Sequence, residues 1–493
     1  MRTDPARLAA YDTLRAVAER EAYANLVLPR LLAERRLDAR DAALATELAY
    51  GALRGRGTYD AILSACVDRP LGQLDPEVLD VLRLGAHQLL ATRIPAHAAV
   101  DSSVELAREV AHEGAARMVN AVLRKVARLD LRGWVDRVAP DPDRDPEGYL
   151  AVYRSHPVWV VSALWDSLAA HRGKDAAYDE IDRLLEADNE RPGVTLAARP
   201  GLADQADLVK QGAEPGRYAS TAAYLPEGDP ARLEAVARGR AGVQDEGSQL
   251  VALALMAAPL GDRPAGADGV RDVGGAGDGD LDGDGGDDSP EADSSSTDSS
   301  GDDRRWLDLC AGPGGKAALL AAIGAQRDAR LVAAEIAPHR ARLVKRALQP
   351  IRGVHKVVTA DGTQPPWRPA TFDRVLLDAP CTGLGALRRR PESRWRREPA
   401  DVSRLAELQK KLLASALDSA RPGGLVAYVT CSPHLAETRL VVSDVLARRD
   451  DVEQLDARPY LPGVPELGDG PDVQLWPHLH DTDAMYLALL RRV

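Results

Sequence analysis

The chain has 493 residues, of which 45% are hydrophobic, and its formal net charge is −12. This length exceeds what one hydrophobic core normally serves, so two or three domains are expected. The sequence has no basic leader followed by an apolar segment and no apolar run of membrane-spanning length, which predicts a cytoplasmic protein without a membrane partner. Its cysteines (Cys66, Cys310, Cys381 and Cys431) show no C-x-x-C spacing, which argues against a disulfide framework or zinc site and predicts no metal.

The negative charge is concentrated in one segment, residues 261–303, with fourteen Asp or Glu against two Arg. The segment has no aromatic residue and little to bury, so we predict a disordered acidic linker there. The rest of the chain balances at 61 basic and 61 acidic residues. A basic face that could bind nucleic acid therefore remains open.

Residues 1–135 show apolar side chains at helical spacing and no period-two alternation, which predicts an all-α domain. One helix of this domain, Val78–Leu90, is preceded by Asp75 and Pro76, an N-cap residue and a proline suited to the first helical position. Residues 150–260 mix helical and strand patterns and indicate a small α+β subdomain.

Residues 304–493 alternate strand and helix patterns, which predicts a doubly wound α/β domain with a parallel sheet. The final apolar run, Met485 to Leu490, is consistent with a late antiparallel strand. The other predicted strands are 305–310, 331–335, 354–359, 372–378 and 424–430, with helices at Pro338–Gln349, Val402–Ala420 and Leu435–Ala447.

A glycine-rich turn, Gly312-Pro313-Gly314-Gly315, joins the first of these strands to a helix that starts near Lys316. The P-loop pattern fails because Cys310 stands where its first glycine is needed and Ala317 follows the lysine. The dinucleotide pattern G-x-G-x-x-G fails as well. Two interpretations of the turn remain: a loop that binds S-adenosylmethionine, and a tight turn that binds no ligand. Polar residues at the following strand ends favour the cofactor.

Acidic residues close three predicted strands, and such strand ends meet at the ligand edge of a parallel sheet. Glu335 is suited to a ribose diol, Asp361 to an adenine edge, and Asp378 begins the sequence Asp-Ala-Pro-Cys. Cys381 and Cys431 therefore fall at the tips of neighbouring strands, where a thiol could attack a pyrimidine ring. Chemistry alone does not decide which thiol attacks.

A run rich in arginine follows the first of these cysteines and contains a tryptophan and one acidic residue, Glu392. With so little balancing acid, the run predicts a loop that contacts RNA phosphates and bases. Its predicted RNA-binding residues are Arg388, Arg389, Arg390, Arg394, Trp395, Arg396 and Arg397.

Four segments of the α/β part, DLCAGPGGK, DAPCTGLG, RRRPESRWRR and TCSPHLAET, together resemble the Sun/RsmB (Nol/Sun) RNA cytosine-5 methyltransferases. The helical segments RLAAYDTLRAVAEREAYANLVLPRLL and IPAHAAVDSSVELAR resemble a NusB-like RNA-binding domain. The resemblance implies an all-α NusB-like domain followed by a Rossmann-like class I S-adenosylmethionine-dependent methyltransferase domain. The expected partner is RNA, with small-subunit rRNA the usual target of the family.

The resemblance also implies roles for individual residues. Cys431 matches the nucleophile and Cys381 the cysteine that helps to release the product. The chemistry of the reaction adds Asp378, which could polarise the ring near its N3, and Lys316, which could aid positioning or charge stabilisation. Gly312 stands where the family commonly has alanine. The expected cofactor-binding residues are Cys310, Ala311, Gly312, Pro313, Gly314, Gly315, Lys316, Glu335, Asp361 and Asp378.

Two other classes of function were weighed: a non-catalytic RNA-binding or antitermination-type protein, and a methyltransferase acting on a small molecule or an amine. The paired cysteines with Asp378 argue against the first, and with the arginine-rich run against the second. A methyltransferase acting on tRNA or another RNA remains open.

Overall fold

The computed structural model describes residues 4–20, 22–262 and 303–493. The predicted acidic linker, 261–303, therefore lies outside the described residues except for Gly261, Asp262 and Asp303. Within the described part of the chain, no helix has the length and apolar character needed to cross a membrane.

The amino-terminal region is a bundle of helices around one apolar core, as the helical spacing predicts. Asp75 does precede the fifth helix and Pro76 opens it, but the Asp75 side chain makes no capping hydrogen bond. The helices are α1 (Pro5–Arg20), α2 (Ala24–Glu34), α3 (Ala39–Arg54), α4 (Arg56–Cys66), α5 (Pro76–Ala91), α6 (Ala96–Val110), α7 (Glu113–Val126) and α8 (Leu131–Val138).

The middle region contains three helices and then a small antiparallel sheet with strand order β2-β3-β1-β4. Its last helix packs its leucines against Trp306, in the core under the large sheet described next. The elements are α9 (Pro146–Tyr153), α10 (Val158–Arg172), α11 (Lys174–Ala187), β1 (Val194–Ala198), α12 (Gln205–Lys210), β2 (Glu214–Pro215), β3 (Ala222–Leu225), α13 (Glu234–Ala237), β4 (Ala241–Val243) and α14 (Glu246–Ala257).

The carboxy-terminal region is built on a large sheet with apolar cores on both faces. Its strands alternate with helices along the chain, as predicted. The elements are β5 (Arg305–Asp308), α15 (Gly315–Gln326), β6 (Arg330–Glu335), α16 (Pro338–Leu348), β7 (Val354–Thr359), β8 (Phe372–Asp378), α17 (Ser393–Arg396), α18 (Pro399–Ser419), β9 (Ala420–Thr430), α19 (Arg439–Leu446), β10 (Val452–Leu455), β11 (Val473–Gln474), α20 (Pro477–His480) and β12 (Tyr486–Arg492).

The order of the large sheet is β10-β12-β9-β8-β5-β6-β7, with β11 paired to β12. Strands β7, β6, β5, β8 and β9 pair in parallel, whereas β12 is antiparallel to β9. This arrangement confirms the Rossmann-like fold and the late antiparallel strand. The strand order reverses beside β5, and ligands of such sheets bind at the carboxyl ends of the strands next to that reversal.

The two largest differences from the predicted boundaries are at the starts of β9 and α19. Strand β9 begins at Ala420 rather than at residue 424, because Ala420 pairs with Phe372 before an irregularity in the ladder accommodates the Pro-Gly-Gly segment. The helix predicted to start at Leu435 starts at Arg439, after a short 3₁₀ turn over Leu435–Glu437. These shifts leave the positions of the strand ends unchanged.

Candidate active site

The backbone of the glycine turn after β5 packs closely against helix α16. Gly314 has a φ of 115°, and a Cβ there would lie 2.8 Å from Ala347 Cβ and 3.0 Å from Val344 Cα, so only glycine fits. A Cβ on Gly312 would lie 2.2 Å from Glu335 Oε2. The turn therefore brings bare backbone to the ligand edge of the sheet, directly before the N-terminus of α15.

The acidic residues predicted at the strand ends differ in their surroundings. Glu335 is buried and accepts hydrogen bonds from Gly312 N at 3.1 Å and Ala337 N at 3.0 Å. Asp361 is exposed, and its carboxylate accepts a hydrogen bond from the Thr363 backbone that lowers its pKa. Ile336, which the sequence analysis missed, directly follows Glu335 and is 63% exposed. A buried carboxylate beside an open apolar side chain fits a nucleoside.

Asp308 is a second residue that the sequence analysis missed. It ends β5, is completely buried, and neither of its carboxylate oxygens has a hydrogen-bond partner. Burial raises its pKa to about 8, and the nearby Asp378 charge adds to the shift. The Asp308 carboxyl is therefore neutral at pH 7 and is available as a hydrogen-bond donor under the glycine turn.

Lys316 and Asp378 form an ion pair between the glycine turn and the end of β8. Lys316 Nζ lies 2.9 Å from Asp378 Oδ2, and both side chains are largely buried. Burial lowers the pKa of Lys316, but the Asp378 carboxylate outweighs that effect and the net pKa is raised. A fixed positive charge thus stands at the end of β8.

Cys381 and Cys431 face each other beside this ion pair, with their Sγ atoms 3.4 Å apart. The hydrogen bond between the two sulfurs lowers the pKa of Cys431, and the Lys316 charge lowers it further against the effects of burial and of Asp378. The same hydrogen bond, with burial, raises the pKa of Cys381. Cys431 is therefore the more acidic thiol of the pair and Cys381 the less acidic one. The third cysteine of the region, Cys310, has a pKa raised by burial, and its thiol stays protonated.

The arginine-rich run is not the open contact loop that the sequence predicted. Arg388 is buried and bonds to Asp481 at 2.8 Å, with Asp245 and Asp483 close by. Arg389 bonds to the same Asp245 and Asp483 at 2.6 and 3.0 Å. The balancing acids come from distant parts of the chain. A role in RNA contact for the buried Arg388 is therefore corrected to a structural one, whereas RNA contact by Arg389, whose side chain is 23% exposed, stays a prediction.

Arg394 is also internal, since its side chain is completely buried. It donates to the carbonyl oxygens of Ser155 at 3.0 Å and Asp188 at 3.1 Å, and to Asn189 Oδ1 at 2.8 Å. These partners belong to the middle region, so Arg394 joins that region to the α/β domain. The prediction that it contacts RNA is corrected for the same reason.

The remaining predicted contact residues lie at the junction with the helical bundle. Arg396 donates to the carbonyl of Val17 at 3.0 Å. The guanidinium of Arg56 lies over the Trp395 ring, 5.5 Å from the centre of that ring. Arg390 is exposed, with its guanidinium 4.6 Å from the centre of the Tyr23 ring. RNA contact by Arg390, Trp395, Arg396 and Arg397 stays a prediction, since Arg390 is exposed and the other three are partly exposed.

The fold and the site together define a Rossmann-like methyltransferase with a helical amino-terminal domain. Two family descriptions match the chain: "NusB family" over residues 4–128 and "16S rRNA methyltransferase RsmB/F" over residues 298–491. A Mycobacterium tuberculosis protein described as a methyltransferase is 50% identical, with 99% of this chain and 97% of that protein covered. The chain therefore belongs to the RsmB/F methyltransferase family.

More distant relatives agree with this assignment. The ribosomal RNA small subunit methyltransferase B of Vibrio cholerae is 29% identical, with 93% of this chain and 92% of that protein covered. The crystal structure of PH0851 covers 100% of both chains with a TM-score of 0.74 at 19% identity, which supports the fold. A methyltransferase homolog from Pyrococcus horikoshii covers 72% of this chain and 100% of its own, with a TM-score of 0.51 at 20% identity.

Proposed function

We propose that this protein transfers a methyl group from S-adenosylmethionine to carbon 5 of a cytosine in small-subunit rRNA, through a covalent adduct with Cys431. The observation that carries the proposal is the pair of thiols 3.4 Å apart beside the Lys316–Asp378 ion pair. A methyltransferase acting on a more nucleophilic atom has no need of two thiols in this position.

The glycine turn and the strand ends would hold the cofactor. Backbone groups of Cys310 to Gly315 line the turn, Glu335 is suited to the ribose hydroxyls, and Ile336 and Asp361 flank the place for the adenine. When bound, S-adenosylmethionine supplies an electrophilic methyl group. The neutral Asp308 carboxyl beneath the turn limits the negative charge near that site.

Carbon 5 of cytosine needs activation before it can accept a methyl group. The Cys431 thiolate attacks carbon 6 and forms a carbon–sulfur bond, and the displaced electron pair makes carbon 5 nucleophilic. Carbon 5 then takes the methyl group. A base removes the carbon 5 proton, and the carbon–sulfur bond breaks to return the Cys431 thiolate.

The residues next to Cys431 have separate roles in the rest of the reaction. Asp378 polarises the ring near N3 and the exocyclic amine. Lys316 holds Asp378 in an ion pair and stabilises the Cys431 thiolate. The Cys381 thiol, which lies against Cys431, assists the elimination step. The target base must be unpaired or swung out of a helix to reach these groups.

RNA is the proposed partner of the whole chain. The helical domain, 1–135, and the middle subdomain, 150–260, would hold the RNA while the α/β domain, 304–493, carries the chemistry. The resemblance to small-subunit rRNA methyltransferases supports this choice.

The test uses purified protein, labelled S-adenosylmethionine and protein-free small-subunit rRNA. We expect label in 5-methylcytosine with the wild type, none with Cys431→Ala, and an RNA–protein adduct on a denaturing gel with Cys381→Ala. Activity of Cys431→Ala together with an inactive, adduct-free Cys381→Ala would reverse the two roles. Absence of label with every RNA offered, tRNA included, would indicate a binding protein.

A further inference from the structure

A buried carboxylate, Glu437, connects the two segments that carry the thiols. It lies in the 3₁₀ turn after β9, six residues beyond Cys431, and is completely buried. Burying a carboxylate is costly unless its oxygens are hydrogen-bonded. The partners of Glu437 therefore indicate what this position contributes to the site.

The partners of Glu437 come from both cysteine segments. Thr382, next to Cys381, donates its backbone N–H to Oε1 at 2.8 Å and its hydroxyl to Oε2 at 2.5 Å. Ser432, next to Cys431, donates its hydroxyl to Oε2 at 2.6 Å. One carboxylate thus ties together the residues that immediately follow the two thiols.

Further contacts fix the carboxylate in place. Gln409 on α18 donates its amide both to Glu437 Oε1 at 3.2 Å and to the carbonyl of Pro380 at 2.9 Å. The Tyr428 hydroxyl donates to the Glu437 carbonyl at 2.7 Å. The carboxylate is therefore held by the segments that follow β8 and β9 and by helix α18, and it cannot turn away without breaking several buried hydrogen bonds.

The charges around the thiol pair are asymmetric. The Lys316 ammonium stabilises the Cys431 thiolate, whereas the Glu437 carboxylate disfavours ionisation of Cys381 and raises its pKa. Asp378 acts against the thiolate of both cysteines, and Asp483 acts against that of Cys431. The hydrogen bonds of the Glu437 carboxylate are asymmetric as well: Thr382, next to Cys381, donates two, and Ser432, next to Cys431, donates one.

Resting on the proposed function, we infer that Glu437 is a positioning residue that selects the nucleophile. It holds the two thiols in contact with each other and keeps Cys381 protonated, so that Cys431 attacks. Two contributions are combined in one side chain. The hydrogen bonds to Thr382 and Ser432 fix the geometry, and the negative charge fixes which sulfur carries the proton.

The test measures thiol alkylation, which needs neither RNA nor cofactor. Full-length protein is treated with iodoacetamide across a pH series, and the alkylated cysteines are identified by peptide mass spectrometry. In the wild type we expect Cys431 to react first and Cys381 to react at higher pH. Glu437→Gln keeps the shape and removes the charge, and we expect the ratio of Cys431 to Cys381 alkylation to fall about tenfold, since one pKa unit changes the thiolate fraction by that factor.

A matched control is Glu180→Gln, since Glu180 is also a buried glutamate but pairs with Arg172 and His478 away from the thiols. We expect the control to keep the wild-type ratio. If Glu437→Gln does not fold, Glu437→Asp keeps the charge on a shorter side chain, and a smaller fall in the ratio is expected. An unchanged ratio in a folded Glu437→Gln, or an equal fall in Glu180→Gln, would overturn the inference.

Methylation of rRNA gives the second readout and separates the two proposals. We expect Glu437→Gln to lower kcat more than it raises KM, and Glu437→Asp, which keeps the charge, to restore part of the alkylation ratio. If the wild type methylates no RNA but alkylation shows the predicted selectivity, the proposed function fails while the role of Glu437 stands. If methylation proceeds and the selectivity is absent, only the role of Glu437 fails.

Discussion

Replacing Arg394 by alanine tests whether the arginine-rich run is an internal connection or an RNA contact. The change leaves three buried acceptors without their donor: the carbonyls of Ser155 and Asp188, and Asn189 Oδ1. Each such loss costs about 1–3 kcal/mol, and removal of one partner from a buried charged network typically costs about 3–5 kcal/mol in total. We expect a loss of stability of that size.

The control for this experiment is Arg390→Ala, because Arg390 belongs to the same run but is exposed. We expect it to alter stability by less than about 0.5 kcal/mol. Thermal and urea unfolding of both variants would be compared with RNA binding, measured where both are folded. The reasoning is refuted if Arg394→Ala unfolds like Arg390→Ala but binds RNA much more weakly than the wild type.

Three further outcomes are expected. Lys316→Met should reduce methylation by about 10²–10³-fold. It should also move the alkylation of Cys431 to higher pH, because the thiolate loses its positive neighbour. An unchanged alkylation profile would contradict this. Asp308→Asn should gain stability relative to the wild type as the pH rises from 3.8 to about 8. Over that range the folded carboxyl keeps its proton while the unfolded one has lost it, so folding of the wild type must take up a proton that becomes scarcer. Melting temperatures at several pH values check it. Deleting 264–302 should leave methylation within a few fold, because its flanking ends meet the same part of the sheet: Gly261 N bonds to Gly423 O, and Arg304 N bonds to Asp373. A large loss of activity would show a role for the linker.

The sequence predicted the strands and their ends well because apolar runs and glycine turns are local signals. Glu335, Asp378, Cys381 and Cys431 could be placed at one edge of the sheet, since parallel strands bring their carboxyl ends together. Their mutual distances could not be obtained in this way. The 3.4 Å between the thiols depends on side-chain directions that the folded chain decides.

The role of the arginine-rich run could not be predicted from its local sequence. Its charges looked unbalanced because Asp245 lies 143 residues before Arg388 in the chain and Asp483 lies 95 residues after it. Only the fold brings them to Arg388 and Arg389. Asp308 could have been noticed from the sequence, because a carboxylate within the apolar run Trp306 to Cys310 is unusual. Its raised pKa could not, because that depends on burial under the turn.

The position of β12 has a consequence for how the protein is made. The strand that ends at the proposed nucleophile, β9, is covered on its outer side only by β12, which pairs with it from Thr430 to Leu425. During synthesis β9 therefore remains an unpaired apolar edge until the ribosome has passed residue 491, and such edges are prone to pair with other chains. Chains that stop early should aggregate rather than accumulate as an inactive enzyme.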